Sequence, residues 1–531
     1  MPRRSRVRPA ALLALALVGS ACSPSGSTPP PAPPSQPAER PALSQIYRPS
    51  GHAAAGDVFV HLFEWRWPDV AAECEGVLGP AGFKAVQVSP PQEHAVIAGF
   101  PWWQRYQPVS YRIDRSRSGT GAEFADMVRR CKAAGVDIYV DAVINHMTAG
   151  AGTGSAGTVY TKYDYPGLYG QADFHPPCAV TNYGSAANVQ DCELLGLADL
   201  NTGSAVVRQK VADYLIALAR LGVAGFRIDA AKHIQPVELD AILKLVDQTL
   251  AGEGRPVPYY FGEVIDYGGG EAVHARDYFG LAYSSGGAAD ITEFKFRGVG
   301  DKFLGTGGQH ISQLDPAGPP GSQFSPTAWG LMPADKAVVF LENHDTQRDG
   351  GISYRNADVY RLANVWMLAQ PYGYPSIMSS YAFDRGSQAG RDAGPPSNAA
   401  GETNAVTCAS SLETAVIGQW VCEHRDPSIA RMVGFRHVVA GTGVEHWWDD
   451  GANAIAFSRG SKGFVAINRE SAPLAATLST GLSEGTYCDV LTGGRQGAFC
   501  VGTSVSVSAA GTVQLSLAPF TAIAIDVADR L

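Results

Sequence analysis

Between residues 57 and 380, eight short apolar runs alternate with stretches of helical periodicity, and few folds accommodate that order. The runs are DVFVHLF from Asp57, AVQVSP from Ala85, DIYVDAVINH from Asp137, GFRIDA from Gly225, YYFGEVI from Tyr259, ADITEF from Ala289, AVVFLENHD from Ala337 and YPSIMSS from Tyr374. Their Val, Ile, Phe and Tyr content marks them as strands. Between them, residues 204–222 place Val207, Val211, Tyr214, Leu215, Leu218 and Leu221 at three- and four-residue spacing, which predicts a helix with one buried stripe. Further helices are expected over about 123–134, 236–250 and 359–370. Eight strands joined by right-handed helical crossovers predict the α/β class and a (β/α)8 TIM barrel over 46–144 and 201–442.

Two regions break the alternation. Residues 145–200 are rich in Gly, Thr, Tyr and Asn and read as a subdomain inserted after strand 3. From 443 to 531, period-2 runs such as Ala454–Phe457, Phe464–Ile467 and Ala522–Ile525 lie between Gly-rich turns, predicting a C-terminal antiparallel β-sandwich. At the other end, Arg3, Arg4, Arg6 and Arg8 precede an apolar run from Ala10 to Val18 and the small residues Gly19, Ser20 and Ala21, the pattern of an export signal over 1–22. Cys22 follows directly, as at a bacterial lipoprotein processing site. Residues 23–45 are rich in Pro and Ser and are expected to form a disordered tether, which suits a lipid anchor on Cys22. No apolar segment reaches the roughly 20 residues of a membrane span.

Composition excludes other classes. With 45% hydrophobic and 17% charged residues in 531, the chain can bury a large core. A net charge of −9 lacks the basic footprint of non-specific nucleic-acid binding. Beyond Cys22 there are eight cysteines, an even number in an exported chain, so disulfides are expected. Eight allow 105 pairings. The short loops favour Cys178 with Cys192, Cys408 with Cys422 and Cys488 with Cys500, leaving Cys74 for Cys131.

In such a barrel, polar groups that close an apolar strand project into the catalytic face. Arg227 and Asp229 are two apart on strand 4 and point to one side, where the guanidinium is expected to keep Asp229 ionised and lower its pKa. Glu263 emerges after Tyr260, Phe261 and Gly262, surroundings expected to raise its pKa toward that of a general acid. Strand 7 ends in Glu342, Asn343, His344 and Asp345, adding carboxylates at the same mouth. Carboxyl groups with opposed pKa values are what glycosidic bond cleavage needs. Trp102, Trp103 and Tyr106 cluster after strand 2, where sugar rings can stack, and Arg105 and Gln107 beside them are expected to orient hydroxyls.

These residues carry a resemblance. The runs DAVINHM from Asp141, GFRIDAAKH from Gly225, GEVID from Gly262 and ENHDTQR from Glu342 resemble the four signature regions of the α-amylase family. PWWQRYQPVSYRI from Pro101 resembles its animal-type branch, and the likeness runs from about residue 46 to the end. It implies endo-hydrolysis of α-1,4-glucosidic bonds in starch-like glucans, with Asp229 as nucleophile, Glu263 as acid and base, and Asp345 holding a distorted sugar ring. It implies that His146 and His344 contact the sugar at the cleavage point and that Lys232 and His233 contact the neighbouring ring, with Arg227 also at the substrate site. It further implies a structural calcium ion on Asn145, Gln190, Asp199 and His233, the second and last through main-chain carbonyls. The family's chloride site would use Arg227, Asn343 and a basic residue on strand 8. Ser376 stands at that last position, so activity without chloride is expected. The partner is then an α-glucan, with no nucleic acid, the membrane reached only through Cys22, and a monomer outside the cell. A maltooligosaccharide-forming or transglycosylating specificity on the same scaffold is the nearest alternative. A non-catalytic glucan binder fits less well, because all three acids are present.

Overall fold

The computed structural model describes residues 47–279, 289–319 and 323–531. The leader, the tether and Cys22 lie outside the described residues. Eight parallel strands close a barrel: β1 Phe59–Leu62, β2 Ala85–Val88, β3 Asp137–Ala142, β4 Gly225–Ile228, β5 Tyr259–Gly262, β6 Asp290–Thr292, β7 Ala337–Val339 and β8 Tyr374–Ser379. Each falls within a run read as a strand, and β8 closes on β1 with Ser376 opposite Phe59. The crossovers carry α1 Trp67–Glu73, α2 Gly121–Ala133, α3 Ala205–Leu221, α4 Pro236–Gly252, α5 Gly298–Leu304, α6 Ala357–Ala369 and α7 Pro427–Val438.

Local chemistry sets the helix ends. Thr120 and Glu123 form a capping box at the start of α2, Thr120 Oγ1 accepting from the Glu123 amide and Glu123 returning a bond to the Thr120 amide. Gly222 ends α3 in the left-handed region at φ +107°. Val207, Val211, Tyr214, Leu215 and Leu218 are buried as expected, but Leu221 is 41% exposed because the helix terminates there.

Alternation along the strands divides inside from outside. Val60, Val86, Ile138, Val140, Phe226 and Ile228 join the core beneath the helices. Phe59, Ala85, Tyr139, Phe261, Val338 and Tyr374 fill the barrel interior. Above this aromatic plug the inward positions turn polar: His61, Gln87, Arg227, Thr292 and Ser376 line one small internal cavity. Gly225 is required by this packing. A Cβ there would stand 2.7 Å from the Tyr139 ring and 2.9 Å from the Tyr259 carbonyl oxygen.

After β3, residues 145–200 form a short hairpin (Gly152–Thr153 with Val159–Tyr160), a helix over Ala186–Gln190 and the Cys178–Cys192 disulfide. The other bridges are Cys74–Cys131, Cys408–Cys422 and Cys488–Cys500. The C-terminal region contains β9 Val444–Asp449, β10 Ala454–Arg459, β11 Gly463–Asn468, β12 Leu474–Ser479, β13 Gly485–Cys488, β14 Ser504–Val507, β15 Thr512–Leu517 and β16 Thr521–Asp526. An antiparallel sheet in the order β9-β10-β11-β16 opposes the pairs β12-β15 and β13-β14. One face of that sheet, with Ala456, Phe464, Ala466, Ile523 and Ile525, packs on Leu478, Tyr487, Val507 and Val513. The other face, with Ile455, Phe457, Val465 and Ile467, belongs to the barrel's own core. At roughly 1.5–3 kcal/mol for each large buried side chain, that second face is a substantial share of the stability.

The first and last crossovers are tied by charge. Glu73 at the end of α1 accepts from His424 Nε2 at 2.7 Å and Arg425 Nε at 2.7 Å, just ahead of α7. Against burial, which would raise it, bonds from Arg425 and His424 draw the Glu73 carboxyl down to about 2. A depressed carboxyl stabilises the fold above its ordinary pKa and loses that contribution as pH falls through the folded value. Glu73→Gln is therefore expected to cost about 3 kcal/mol near neutral pH, shrinking as pH drops toward 2. Denaturant unfolding at a series of pH values checks this; an equal cost at both ends would disprove it.

Candidate active site

At the C-terminal ends of the strands lies a cleft of about 820 Å3. Asp229 enters it directly after β4, Glu263 directly after β5, and Asp345 from the loop after β7. Arg227 stands beneath them. Its Nη1 donates to Asp229 Oδ1 at 2.9 Å and to Asp141 Oδ1 at 2.5 Å. Its Nη2 pairs with Glu263 Oε1 at 2.5 Å, while Glu263 Oε2 accepts from the Ala230 amide at 3.1 Å. Ala230 adopts φ +49°, a left-handed turn that carries the chain off β4 and aims its amide at Glu263.

The expected lowering of the Asp229 pKa does not occur. Burial pushes Asp229, Asp141, Glu263 and Asp345 above their ordinary values, with Arg227 pulling each back. One guanidinium is shared among several carboxylates, so their mutual repulsion and desolvation outweigh it. Asp345 reaches furthest toward solvent, its side chain 39% exposed. Glu263 is raised as expected, but its surroundings are charged rather than apolar.

Trp102, Trp103, Tyr106, Gln107, His146, Lys232, His233 and His344 all line the cleft. Tyr106 donates from Oη to Asp141 Oδ2 at 2.8 Å, and His344 stacks on the Tyr106 ring at 5.2 Å and on Phe63 at 5.0 Å. Burial lowers His146 and His233 to about 4, and His344 lies well below its ordinary value, so all three are neutral at pH 7. Lys232 Nζ donates to the Ile265 carbonyl at 2.6 Å and pairs with Glu271.

Three expected positions lie elsewhere. Arg227 is buried under the carboxylates and lines the internal cavity together with Asn343 and Ser376, so it meets the acids rather than the cleft. Asn343 Oδ1 accepts from the amides of Asp345 and Thr346 at 3.1 and 2.9 Å, fixing the loop that presents Asp345. Arg105 is wholly buried, bonded to Glu64 at 3.1 Å and to Ser118, and orients nothing in the cleft. Sequence reasoning also missed Asp141, although the run DAVINHM contains it and strand alternation turns it inward beside Arg227. Tyr183, Leu195, Ile265, Tyr267 and Glu271 complete the wall from loops that carry no periodic signal.

The four residues expected at calcium lie on neighbouring strands of chain. His146 pairs with Asp199 as a β-bridge, and the Leu200 amide donates to the Asn145 carbonyl at 3.0 Å. The His233 ring meets the Val189 carbonyl at 2.8 Å, next to Gln190, whose amide donates to Tyr278 Oη at 2.9 Å. Asp199 Oδ2 pairs with His175 Nδ1 at 2.7 Å, whereas Oδ1 is buried without a hydrogen-bond partner, and burial raises the group to about 7. An orphaned buried carboxylate oxygen fits a hard cation. Among the described residues no three His, Cys, Asp or Glu side chains converge as a metal cluster, so a cation here would rest on one carboxylate, an amide and main-chain carbonyls.

Comparison with known proteins agrees with this geometry. Residues 86–251 match the model of the α-amylase catalytic domain, and residues 447–528 match that of the α-amylase C-terminal all-beta domain. The α-amylase of Tribolium castaneum is 44% identical over 88% of this chain and 92% of its own, and that of Thermomonospora curvata is 45% identical over 88% and 73%. The solved structure of α-amylase I from Eisenia fetida superposes with a TM-score of 0.80 at 37% identity, covering 91% of this chain and 99% of that one. The chain thus belongs to the α-amylase family of glycoside hydrolases.

Proposed function

We propose that this protein is an exported α-amylase that cleaves internal α-1,4-glucosidic bonds of starch- and glycogen-like glucans with retention of configuration. The observation that carries the reading is the guanidinium fork of Arg227, which spans Asp229 and Glu263. Two carboxyls that both lie within 3 Å of one guanidinium sit close together, which suits the roughly 5–5.5 Å separation of retaining enzymes better than the roughly 6.5–9.5 Å that inverting enzymes leave for water.

In this reading Glu263 protonates the departing glycosidic oxygen while Asp229 attacks the anomeric carbon, and Glu263 then draws a proton from the water that releases the glycosyl group. Burial alone favours the proton on Asp229, the group pushed up furthest of the two. Arg227 opposes that push at both acids, and by the family resemblance the proton available for transfer is assigned to Glu263 and the attack to Asp229. Asp345, 3.4 Å from His344 Nε2, faces the reacting ring, while neutral His146 and His344 hydrogen-bond its hydroxyls. Trp102, Trp103 and Tyr106 stack on sugar faces, and Lys232 and His233 meet the neighbouring ring.

Calcium would be held by Asn145, by Asp199 Oδ1 and by the carbonyls of Gln190 and His233, supplying charge that fixes the 145–200 segment against the barrel. Chloride is not required in this reading. Ser376 brings no cation to the internal cavity, and Arg227 is already surrounded by carboxylates. Export follows from the leader, and acylation of Cys22 would be read directly from the mass of the mature N-terminus.

Soluble starch digested by the protein should yield a ladder of short oligosaccharides, and Glu263→Gln should lower the rate roughly 10²–10⁴-fold while glucan binding persists; one dominant product would favour the maltooligosaccharide-forming alternative. Arg227→Gln removes the charge that opposes the raised carboxyl pKa values, so the acid limb of the pH–rate profile should move to higher pH. A limb that stays put or moves to lower pH would refute the electrostatic role. Dialysis separates the two ions: a chelator should lower the melting temperature, restored by added calcium, whereas exchange into chloride-free buffer should leave activity intact.

A further inference from the structure

The last residue of the run ENHDTQR has no part in the chemistry described so far. Arg348 closes the short 3-10 turn Thr346–Arg348 that follows Asp345, and it is only 9% exposed. Its guanidinium spends its hydrogen bonds on neutral acceptors. Nε donates to the Arg391 carbonyl at 2.9 Å, Nη1 to the His344 carbonyl, and Nη2 to Tyr381 Oη at 3.3 Å. Aromatic faces enclose the rest: the guanidinium carbon lies 4.4 Å from the centre of the Trp102 ring, 4.5 Å from that of Phe383 and 5.7 Å from that of Phe63. Among the described residues no carboxylate accepts a hydrogen bond from it. A buried cation without an anionic partner is costly to desolvate, even with cation–π attraction to offset part of the cost, so an arginine here calls for a task that an apolar side chain could not perform.

Its contacts converge on two parts of the cleft. The Arg391 carbonyl that takes Arg348 Nε also accepts from Trp102 Nε1 at 3.0 Å, so one oxygen fixes both the edge of the indole and the cation on its face. Tyr381 pins the same segment again, its Oη donating to the Ala393 carbonyl at 2.8 Å. Through Nη1 the guanidinium holds the main chain of His344, immediately ahead of Asp345, and the His344 ring meets Trp102 edge-on at 5.6 Å. Its charge also joins Arg227 in drawing the Asp345 carboxyl back toward its ordinary value. Trp102 follows β2 and Asp345 follows β7, and Arg348 is joined to both.

We infer that Arg348 is a positioning residue for glucan cleavage, whose planar fork seats the Trp102 ring in register with the loop that presents Asp345, so that a sugar stacked on the indole reaches the carboxylate in its reactive orientation. The inference rests on the glucan-hydrolase reading given above, and deepens it by naming what couples the sugar platform to the acids. A lysine in this place would keep the charge but lack both the plane that stacks on the rings and the divergent donors that reach two carbonyls at once.

The test is a double-mutant cycle in the full-length protein, read on soluble starch. Arg348→Met, apolar and of similar length, should lower kcat/KM roughly 10- to 100-fold, mostly through kcat, because a displaced platform loses transition-state contacts. Arg348→Lys should recover little of that loss. In a Trp102→Ala background the same Arg348→Met change should cost less than about threefold, since no ring is left to seat. Losses that multiply in full would overturn the inference, as would a loss confined to KM or full activity in Arg348→Lys, which would reduce the role to charge alone. Should Arg348→Met show no cooperative melting transition, Arg348→Lys takes its place in the cycle with the same expectation. A wild-type protein that releases no reducing ends would sink the proposed hydrolase; the cycle is then read on maltoheptaose affinity by calorimetry, where coupled losses uphold the seating of Trp102 and independent losses overturn it.

Discussion

Arg227 lies within ion-pair distance of Asp141, Asp229 and Glu263. Taking three carboxylates and one cation out of water is costly, and a single positive charge cannot repay it for all of them ionised. The remainder of the balance is met by protons, which is why these acids titrate upward. Everything around the site serves to keep that unequal arrangement in place. Tyr106 donates to Asp141 from above, the Ala230 amide holds Glu263 from the side, and the plug of Phe59, Tyr139, Phe261 and Tyr374 below excludes water from the barrel interior. A site of this kind is strained by its own charge before substrate arrives, and the barrel's stability is what tolerates it.

Much of this was legible in the sequence because it depends on period. Alternation along eight runs located every barrel strand, and the two-residue step from Arg227 to Asp229 placed both groups on one side. Motif likeness then attached roles to positions that periodicity only located. The disulfides were legible for a different reason, since short loops leave few sensible partners.

What escaped depends on distances between elements. Nothing local to GFRIDAAKH announces that Arg227 is also committed to Asp141 on the adjoining strand, so the Asp229 pKa was read with the wrong sign. Arg105 looked like a cleft residue because its neighbours in sequence are, yet a short 3-10 turn over Trp102–Tyr106 turns it inward to Glu64. Tyr183, Leu195 and Tyr267 sit on loops whose paths follow from turns at glycines and from partners far along the chain, which no single-sequence period encodes.

The sheet of β9, β10, β11 and β16 is buried on both sides, once by its own domain and once by the barrel. Such a sheet is a party wall. Cutting the chain before β9 would strip the barrel of side chains it counts as its own interior and leave an apolar scar of the kind that drives aggregation. The two parts therefore depend on each other for the burial of this sheet. The C-terminal region is thus part of the barrel's interior as much as of its own.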